Sequence, residues 1–250
     1  MSDPAARATL PPHQPLERYY HSEPERKRRV AAWFDGAAAD YDWLNSAMSF
    51  GSGDYYRRQA LLRAGVAAGM KLLDVGAGTG AVAAAAQAIV AGSDAVVAFD
   101  PSLSMLRRAT DRGVRRLVRG VAEALPFPDG HFDRLTMGYA LRHVADLRPT
   151  FAEYRRVLAP GGGLLLLEIT PPSSRFARAV LSLYLGRLVP LLARFGRGGR
   201  TSRELFRYHW DTIDSCEPPE VILQALDEAG FTRVERRVEM GIFSEYRGWR

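Results

Sequence analysis

The stretch Leu72–Gly80, LLDVGAGTG, decides the fold. A short apolar strand, Lys71 to Val75, runs into three alternating glycines, Gly76, Gly78 and Gly80, and an alanine-rich helix begins at about Ala81. Glycines at such a turn let the backbone bend sharply and let a ligand approach the main chain. The first helical turn leaves N–H groups unpaired and aimed at the loop. Twenty residues after Gly80 a second apolar strand, AVVAFD, ends in Asp100. A carboxylate at that tip is where such folds grip the two hydroxyls of a ribose. The bland alternative is a tight turn without a ligand.

The spacing chooses between cofactors. A dinucleotide site expects G-x-G-x-x-G, whereas this loop reads G-x-G-x-G with a carboxylate, Asp74, two residues before the first glycine. Strand-D-x-G-x-G-x-G resembles motif I of the class I S-adenosylmethionine-dependent methyltransferases.

A chain of 250 residues with 47% apolar content can bury one substantial core. The net charge is +6, and Lys27 and Lys71 are the only lysines, so the charge is nearly all arginine. Basicity of this kind suits nucleic acid or an anionic membrane surface, or reflects only a biased genome. The single Cys216 excludes an intramolecular disulfide and fits a reducing compartment. No run of 18 apolar residues stands out and no apolar signal core opens the chain, so a cytoplasmic protein without a spanning helix is expected. His13, His21, His131, His143 and His209 show no metal-ligand spacing.

Residues 1–24, with Pro4, Pro11, Pro12, Pro15 and Pro24, read as a flexible tail ahead of one domain over 25–250. Glu25–Arg29 reads as the solvated start of a helix. Residues 25–65 are expected to form N-terminal lid helices. Within them, 30–51 either pack Trp33, Phe34 and Met48 on a core or form a lid with Tyr41 facing the site. Ser102 can cap a helix that puts Met105 and Leu106 on one face, and Asp146 can cap another with Phe151, Tyr154 and Leu158. Strands are expected near Leu117–Val118, Arg134–Tyr139 and through LLLLEI to Ile169, with Pro160–Gly163 a turn. Residues just after strands one, two and four, namely Thr79, Asp100 and Gly138–His143, should converge. Residues 176–195 form an apolar stretch broken by Gly186 and Pro190, read as a core helix or as a greasy wall or shallow membrane contact within a 170–215 insertion expected to cover the substrate. A helix from Pro218–Pro219 to Gly230 and strands at Phe231–Val238 and Gly241–Tyr246 complete a seven-stranded, mostly parallel, Rossmann-like α/β sheet with helices on both faces.

At this point the chain resembles the ubiquinone/menaquinone biosynthesis C-methyltransferase family, from about Arg29 to Arg250. The segments that carry the likeness are F-D-x-x-A-x-x-Y-D-x-x-N-x-x-M-S-F-G at 34–51, LDVGAGTG at 73–80, AEALPFPDGHFD at 122–133, LRHV at 141–144, RVLAPGG at 156–162 and Y-R-G at 246–248. The resemblance implies S-adenosyl-L-methionine as cofactor, contacted by Asp74, Gly76, Gly78, Thr79, Asp100, Val121, Ala122 and Gly138. Val121 stands where the family usually has asparagine and Gly138 where it has serine. The resemblance also implies that Arg142 helps to activate a substrate hydroxyl. His143 replaces a usual asparagine, and Phe206-x-Tyr208-His209-x-x-Thr212-Ile213 departs from the family's Y-x-Y-L-x-x-S-I.

The implied reaction is C-methylation of a reduced, lipid-like polyprenyl quinol, with peripheral membrane contact and a homodimer left open. A hydroquinone carbon becomes nucleophilic when the neighbouring phenol loses its proton, and a base near neutrality helps. The expected catalytic residues are Arg142, His143 and Tyr41. Either His143 is the base, with Arg142 stabilising the phenolate, or His143 only packs or caps. Alternatives are methylation of another phenolic or polyketide acceptor, or a non-catalytic cofactor-binding assembly protein. Nucleic-acid methyltransferases that act on exocyclic amines usually carry [N/D]-P-P-[Y/F] after strand four, where this chain has Gly138-Tyr-Ala-Leu, so no nucleic-acid partner is expected.

Overall fold

Strand β1 (Leu72–Val75) is buried at every position in the computed structural model, which describes residues 9–48, 51–92 and 94–250. Its near-continuous apolar character is what a strand covered on both faces requires. It pairs in parallel with β2 (Val96–Asp100) on one side and β4 (Phe132–Gly138) on the other. β3 (Arg116–Arg119) lies beyond β2, and β5 (Leu158–Ile169) beyond β4. A terminal hairpin, β6 (Thr232–Glu239) and β7 (Phe243–Trp249), sets β7 antiparallel to β5. The order is β3-β2-β1-β4-β5-β7-β6. The strand order reverses between β1 and β4, and ligands of open α/β sheets sit outside the carboxyl ends there.

One face of the sheet is covered by α2 (Gly53–Arg63), α3 (Ala81–Val90) and α4 (Leu103–Asp111), through Leu61, Ala83, Ala86 and Leu106. The other is covered by α5 (Leu147–Val157) and α9 (Pro219–Glu228), through Phe151, Tyr154, Ile222 and Leu226. Both expected caps form: Ser102 accepts from the Met105 N–H at 3.2 Å and Asp146 from the Arg148 N–H at 3.0 Å. Pro160–Gly163 does not separate a turn from a strand. β5 begins at Leu158 and the glycines absorb an irregularity within it, with Gly161 at φ +76°.

Helix α1 (Glu23–Met48) packs Trp33, Ala37 and Leu44 toward α8 (Gly199–Asp214). Gly36 allows this approach, since a Cβ there would lie 2.8 Å from Thr201 Cγ2. Buried Asp40 caps the start of α8, accepting from Arg197 N, Gly198 N and Ser202 Oγ at 2.6–2.8 Å. The Met48 side chain lies outside the described residues.

Three further sequence expectations need correction. Residues 9–24 are not a loose tail. Tyr19 and Tyr20 are buried, Tyr19 sits edge-on to Trp33 and Tyr208, and its hydroxyl donates to Asp211 at 2.6 Å. Backbone bonds tie Leu10 to Leu147 and Pro12 to Glu217. A proline-punctuated segment shows no periodicity, yet two aromatic anchors suffice to seat it. Within Glu25–Arg29, Arg26 is buried rather than solvated: it holds Glu23 with two bonds of 2.7 Å and donates to the carbonyls of His143 and Val144.

The third concerns 176–195. α6 (Arg175–Leu183), a π-helical turn (Tyr184–Leu188) and α7 (Val189–Ala193) run on as one helix, long and apolar enough to cross a membrane by length and composition. The wide turn accommodates Gly186 and Pro190 without ending the helix. Its inner residues, Leu185, Val189 and Ala193, nevertheless pack with Phe206, Trp210 and Ile213 of α8, so it lies along the protein.

Candidate active site

A cavity of about 230 Å³ opens beyond the carboxyl ends of β1, β2 and β4. Its floor comes from Gly76, Gly78, Asp100 and Gly138, its sides from Val121, Ala122 and Tyr139, and its roof from Phe34 and Tyr41 of α1. Gly76, at φ +64°, is required on two counts, because a Cβ would also meet the Ala140 Cβ at 2.5 Å. Gly78, at φ +55°, would direct a Cβ into open space, and its N–H donates to Asp100 at 2.8 Å. The other Asp100 oxygen accepts from the Ser102 N–H at 2.8 Å. Burial pushes the Asp100 carboxyl up to about 6 against the pull of those bonds. A carboxylate so placed, beside a loop open enough for close approach, suits a diol such as that of a ribose. The residues present therefore fit a nucleoside cofactor.

Two of the expected cofactor contacts do not line the cavity. Asp74 is fully buried beneath the loop, accepts from the Thr136 hydroxyl at 2.8 Å, and is pushed by burial up to about 7. Thr79 is buried, and its hydroxyl donates to Asp42 of α1 at 2.5 Å. Asp42 also pairs with Arg112 at 3.1 Å, and Asp35 accepts from Ser102 and Ser104. Carboxylates on α1 thus stitch that helix to the cofactor-side loops.

Of the three expected catalytic residues, Tyr41 and His143 line the cavity and Arg142 does not. His143 lies in a 3-10 turn, Leu141–His143, just after β4. Its ring stacks on Tyr208 at 5.7 Å and meets Phe34 at 5.3 Å and His209 at 5.6 Å. Neither ring nitrogen has a hydrogen-bond partner. Burial, then the charge of Arg142, holds its pKa well below 6.5, so the imidazole is neutral. Tyr41 contacts Phe34, Phe206 and His209, and burial raises its phenol above the ordinary value.

Arg142 is anchored instead of reaching in. Its Nε donates to Glu168 at 2.9 Å, Nη1 to Thr212 at 2.8 Å and the His209 carbonyl at 3.2 Å, and Nη2 to the Tyr139 carbonyl at 3.1 Å. Burial works against its charge, and Glu168 more than offsets that. This arginine ties β5, α8 and the turn carrying His143 together.

Tyr139 was not singled out by the sequence. It lines the cavity at φ +61°, a conformation rare for a side chain of its size, and Arg57 lies 5.9 Å over its ring. Its position just after strand four was legible, but its backbone geometry has no sequence signal. The cover expected from 170–215 also differs: no residue of that segment lines the cavity, and it backs Tyr41 through Phe206.

Comparison with known proteins adds to this geometry. The profile of the ubiE/COQ5 methyltransferase family matches residues 22–250. A relative from Shewanella sp. strain ANA-3, named ubiquinone/menaquinone biosynthesis C-methyltransferase UbiE, is 34% identical over 229 residues, covering 88% of this chain and 90% of the relative. Its namesake from Shewanella oneidensis matches equally well. Among solved structures, a possible histamine N-methyltransferase from Thermotoga maritima superposes with a TM-score of 0.61 at 20% identity, covering 87% of this chain and 98% of that one. The [4+2]-cyclase SpnF superposes with a TM-score of 0.62 at 16% identity, covering 88% of this chain and 94% of that one. Those two likenesses concern the fold alone, and the cyclase illustrates that one fold serves more than one chemistry.

Proposed function

The chain belongs to the ubiE/COQ5 methyltransferase family, an S-adenosylmethionine-dependent one, and from that membership we propose that it methylates a ring carbon of a reduced polyprenyl quinone precursor. The observation that carries the reading is the union, in one cavity, of the Asp100 cradle with the unpartnered ring of His143 under an aromatic roof. S-adenosylmethionine, when bound, supplies an electrophilic methyl group on its sulfonium sulfur.

The chain's own residues then have three tasks. Asp100 and the Gly76–Gly78 main chain hold the cofactor's ribose side, and alignment of this kind contributes roughly 7–11 kcal/mol in well-oriented reactions. Phe34, Tyr41 and Tyr139 exclude water and accept a flat ring. His143, neutral and with a free nitrogen, is the group placed to take the phenolic proton; burial keeps its basicity low, so its contribution falls toward the lower end of the roughly hundredfold to ten-thousandfold that general bases supply. Arg142 is a positioning residue: paired with Glu168 and bonded to Thr212 and two carbonyls, it fixes the turn that carries His143. Asp74 and Thr79 support the loop and the α1 lid.

A prenylated quinol resides in a bilayer, so the enzyme meets its acceptor at the cytoplasmic membrane face. One observation favours a second acceptor class: the departures His143 and His209 meet at 5.6 Å, so the ring recognised can differ from the family's usual one. The test is methyl transfer from labelled S-adenosylmethionine to short-chain demethylated quinones, reduced and oxidised, with a panel of phenols, read by mass spectrometry. Ring-carbon methylation confined to reduced quinones is the expected result. Methylation of phenol oxygens alone would replace it with the second class.

A further inference from the structure

We propose that the outer face of the 175–195 helix, with the arginines beside it, is the surface on which this enzyme docks to an anionic lipid bilayer. The purpose of such docking rests on the lipid-borne acceptor proposed above, while its physical basis does not.

The helix is apolar on two sides. Leu185, Val189 and Ala193 face inward on α8. Opposite them, Phe176, Val180, Leu183, Leu191 and Phe195 are exposed, and both phenylalanines are 80% exposed. Their separations of four, three, eight and four residues keep them on one stripe of a helix. The 176–195 stretch holds seven of the fourteen large apolar side chains exposed among the described residues. Leaving that area in water is unfavourable, and such a patch marks a contact surface.

Charge identifies the partner. Residues 170–207 carry eight arginines against the single acid Glu204, a net of +7 beside a whole-chain net of +6. The remainder of the chain is therefore nearly neutral, and the basic character belongs to this one segment. Arg178 and Arg200 pair with Asp214 and Glu204. Arg175, Arg187, Arg194, Arg197, Arg203 and Arg207 make no ion pair among the described residues. Arg194, Arg200, Arg203 and Arg207, with Glu204 the one acid among them, line a recess of net positive charge that suits a phosphate. An apolar stripe rimmed by cations is the composition of a helix that lies in the bilayer interface. A second copy docking by the same face would press two arginine rims together, which like-charge repulsion opposes. A nucleic acid would leave the stripe uncovered. The face also stands one layer from the site, because Leu185 and Val189 share a cluster with Phe206 that Tyr41 packs against.

The experiment is flotation of the full chain with vesicles of phosphatidylcholine, alone or mixed with phosphatidylglycerol. Three variants accompany it: Phe176→Ser with Phe195→Ser, Arg194→Gln with Arg203→Gln, and Met240→Ser. Met240 is 81% exposed, in the turn between β6 and β7. The expected results are at least tenfold tighter binding to the anionic vesicles and a loss of roughly fivefold per arginine removed. The phenylalanine pair should lose more than tenfold, and Met240→Ser nothing. Phe176, Phe195, Arg194 and Met240 are exposed and Arg203 is half-buried with no ion pair to lose, so melting temperatures should stay close to the parent. Turnover on a water-soluble short-chain acceptor should stay constant, while turnover on a vesicle-borne one falls with binding. Indifference to phosphatidylglycerol, or full binding by the phenylalanine pair, would overturn the proposal. So would a dimer that the phenylalanine pair breaks, in a protein that does not float with vesicles. Anionic binding as expected without turnover on any quinol keeps the docking surface and removes the acceptor reading.

Discussion

Asp74 and Asp100 are buried near the glycine loop, and neither makes an ion pair among the described residues. Both carboxyls titrate above their ordinary value. A raised folded pKa means a contribution fully present below the unfolded value near 3.8 and lost as pH rises through the folded value. For Asp74 that window runs from about pH 4 to pH 7. Asp74→Asn should therefore gain stability over the parent at pH 8, by roughly 2–4 kcal/mol, and much less at pH 5. Urea melts at the two pH values read this, and equal gains at both would contradict the burial argument. His143 and His209 behave oppositely. Burial holds His209 down to about 3, so its contribution is present above pH 6.5 and lost as pH falls toward 3. His209→Leu should flatten the acid side of the stability curve. His143→Asn should lower kcat by about a hundredfold or more if the imidazole takes the proton; full turnover would leave it a packing residue. Arg142→Ala strands buried Glu168, so a loss of about 3–5 kcal/mol in stability is expected together with lost activity. A purely substrate-touching arginine would lose activity alone. The placement of Asp100 and the glycines at the cavity could be read in the sequence because it is set by local loop geometry. The anchors of Arg142 lie 26 and 70 residues away, and nothing near Arg142 in sequence announces them.

At the scale of elements, α1 is held down by side chains and not by main chain. Asp42 on Thr79 and Arg112, and Asp35 on Ser102 and Ser104, close it over a cavity below the roughly 300–1,000 Å³ usual for small-molecule sites. A prenylated ring needs α1 to lift. Asp42→Ala should release it at a cost near 1 kcal/mol, allowing for the partial exposure of that carboxylate. Hydrogen exchange should then speed up in α1 and leave α5 unchanged, and uniform exchange would deny the latch. Strands with continuous apolar runs and helices with Ser or Asp caps were legible because propensity and burial agree there. Residues 9–22 and the π turn were not, since their conformations are set by partners distant in sequence: Tyr208 for Tyr19, and α8 for Leu185.

Across the whole molecule, the early chain is fastened to the late chain. Tyr19 and Tyr20 lodge against Tyr208, and Pro12 accepts from the Glu217 N–H. Tyr19→Ala with Tyr20→Ala should lower stability by about 3–5 kcal/mol, as denaturant titration would register; an unchanged midpoint would mean the segment is only draped on the surface. The packing of α1 on α8 carries a further consequence for the making of the protein. Trp33 bonds to Glu204, 171 residues later. A ribosome adding ~5–20 residues per second needs roughly 10–30 s to bring that partner out. Throughout that interval the aromatic stripe of α1 is exposed on the nascent chain, with its own sheet assembling beyond it. The first of the described helices thus waits for a partner near the far end of the chain, and a nascent chain carrying it unpaired for that long is suited to a holding factor.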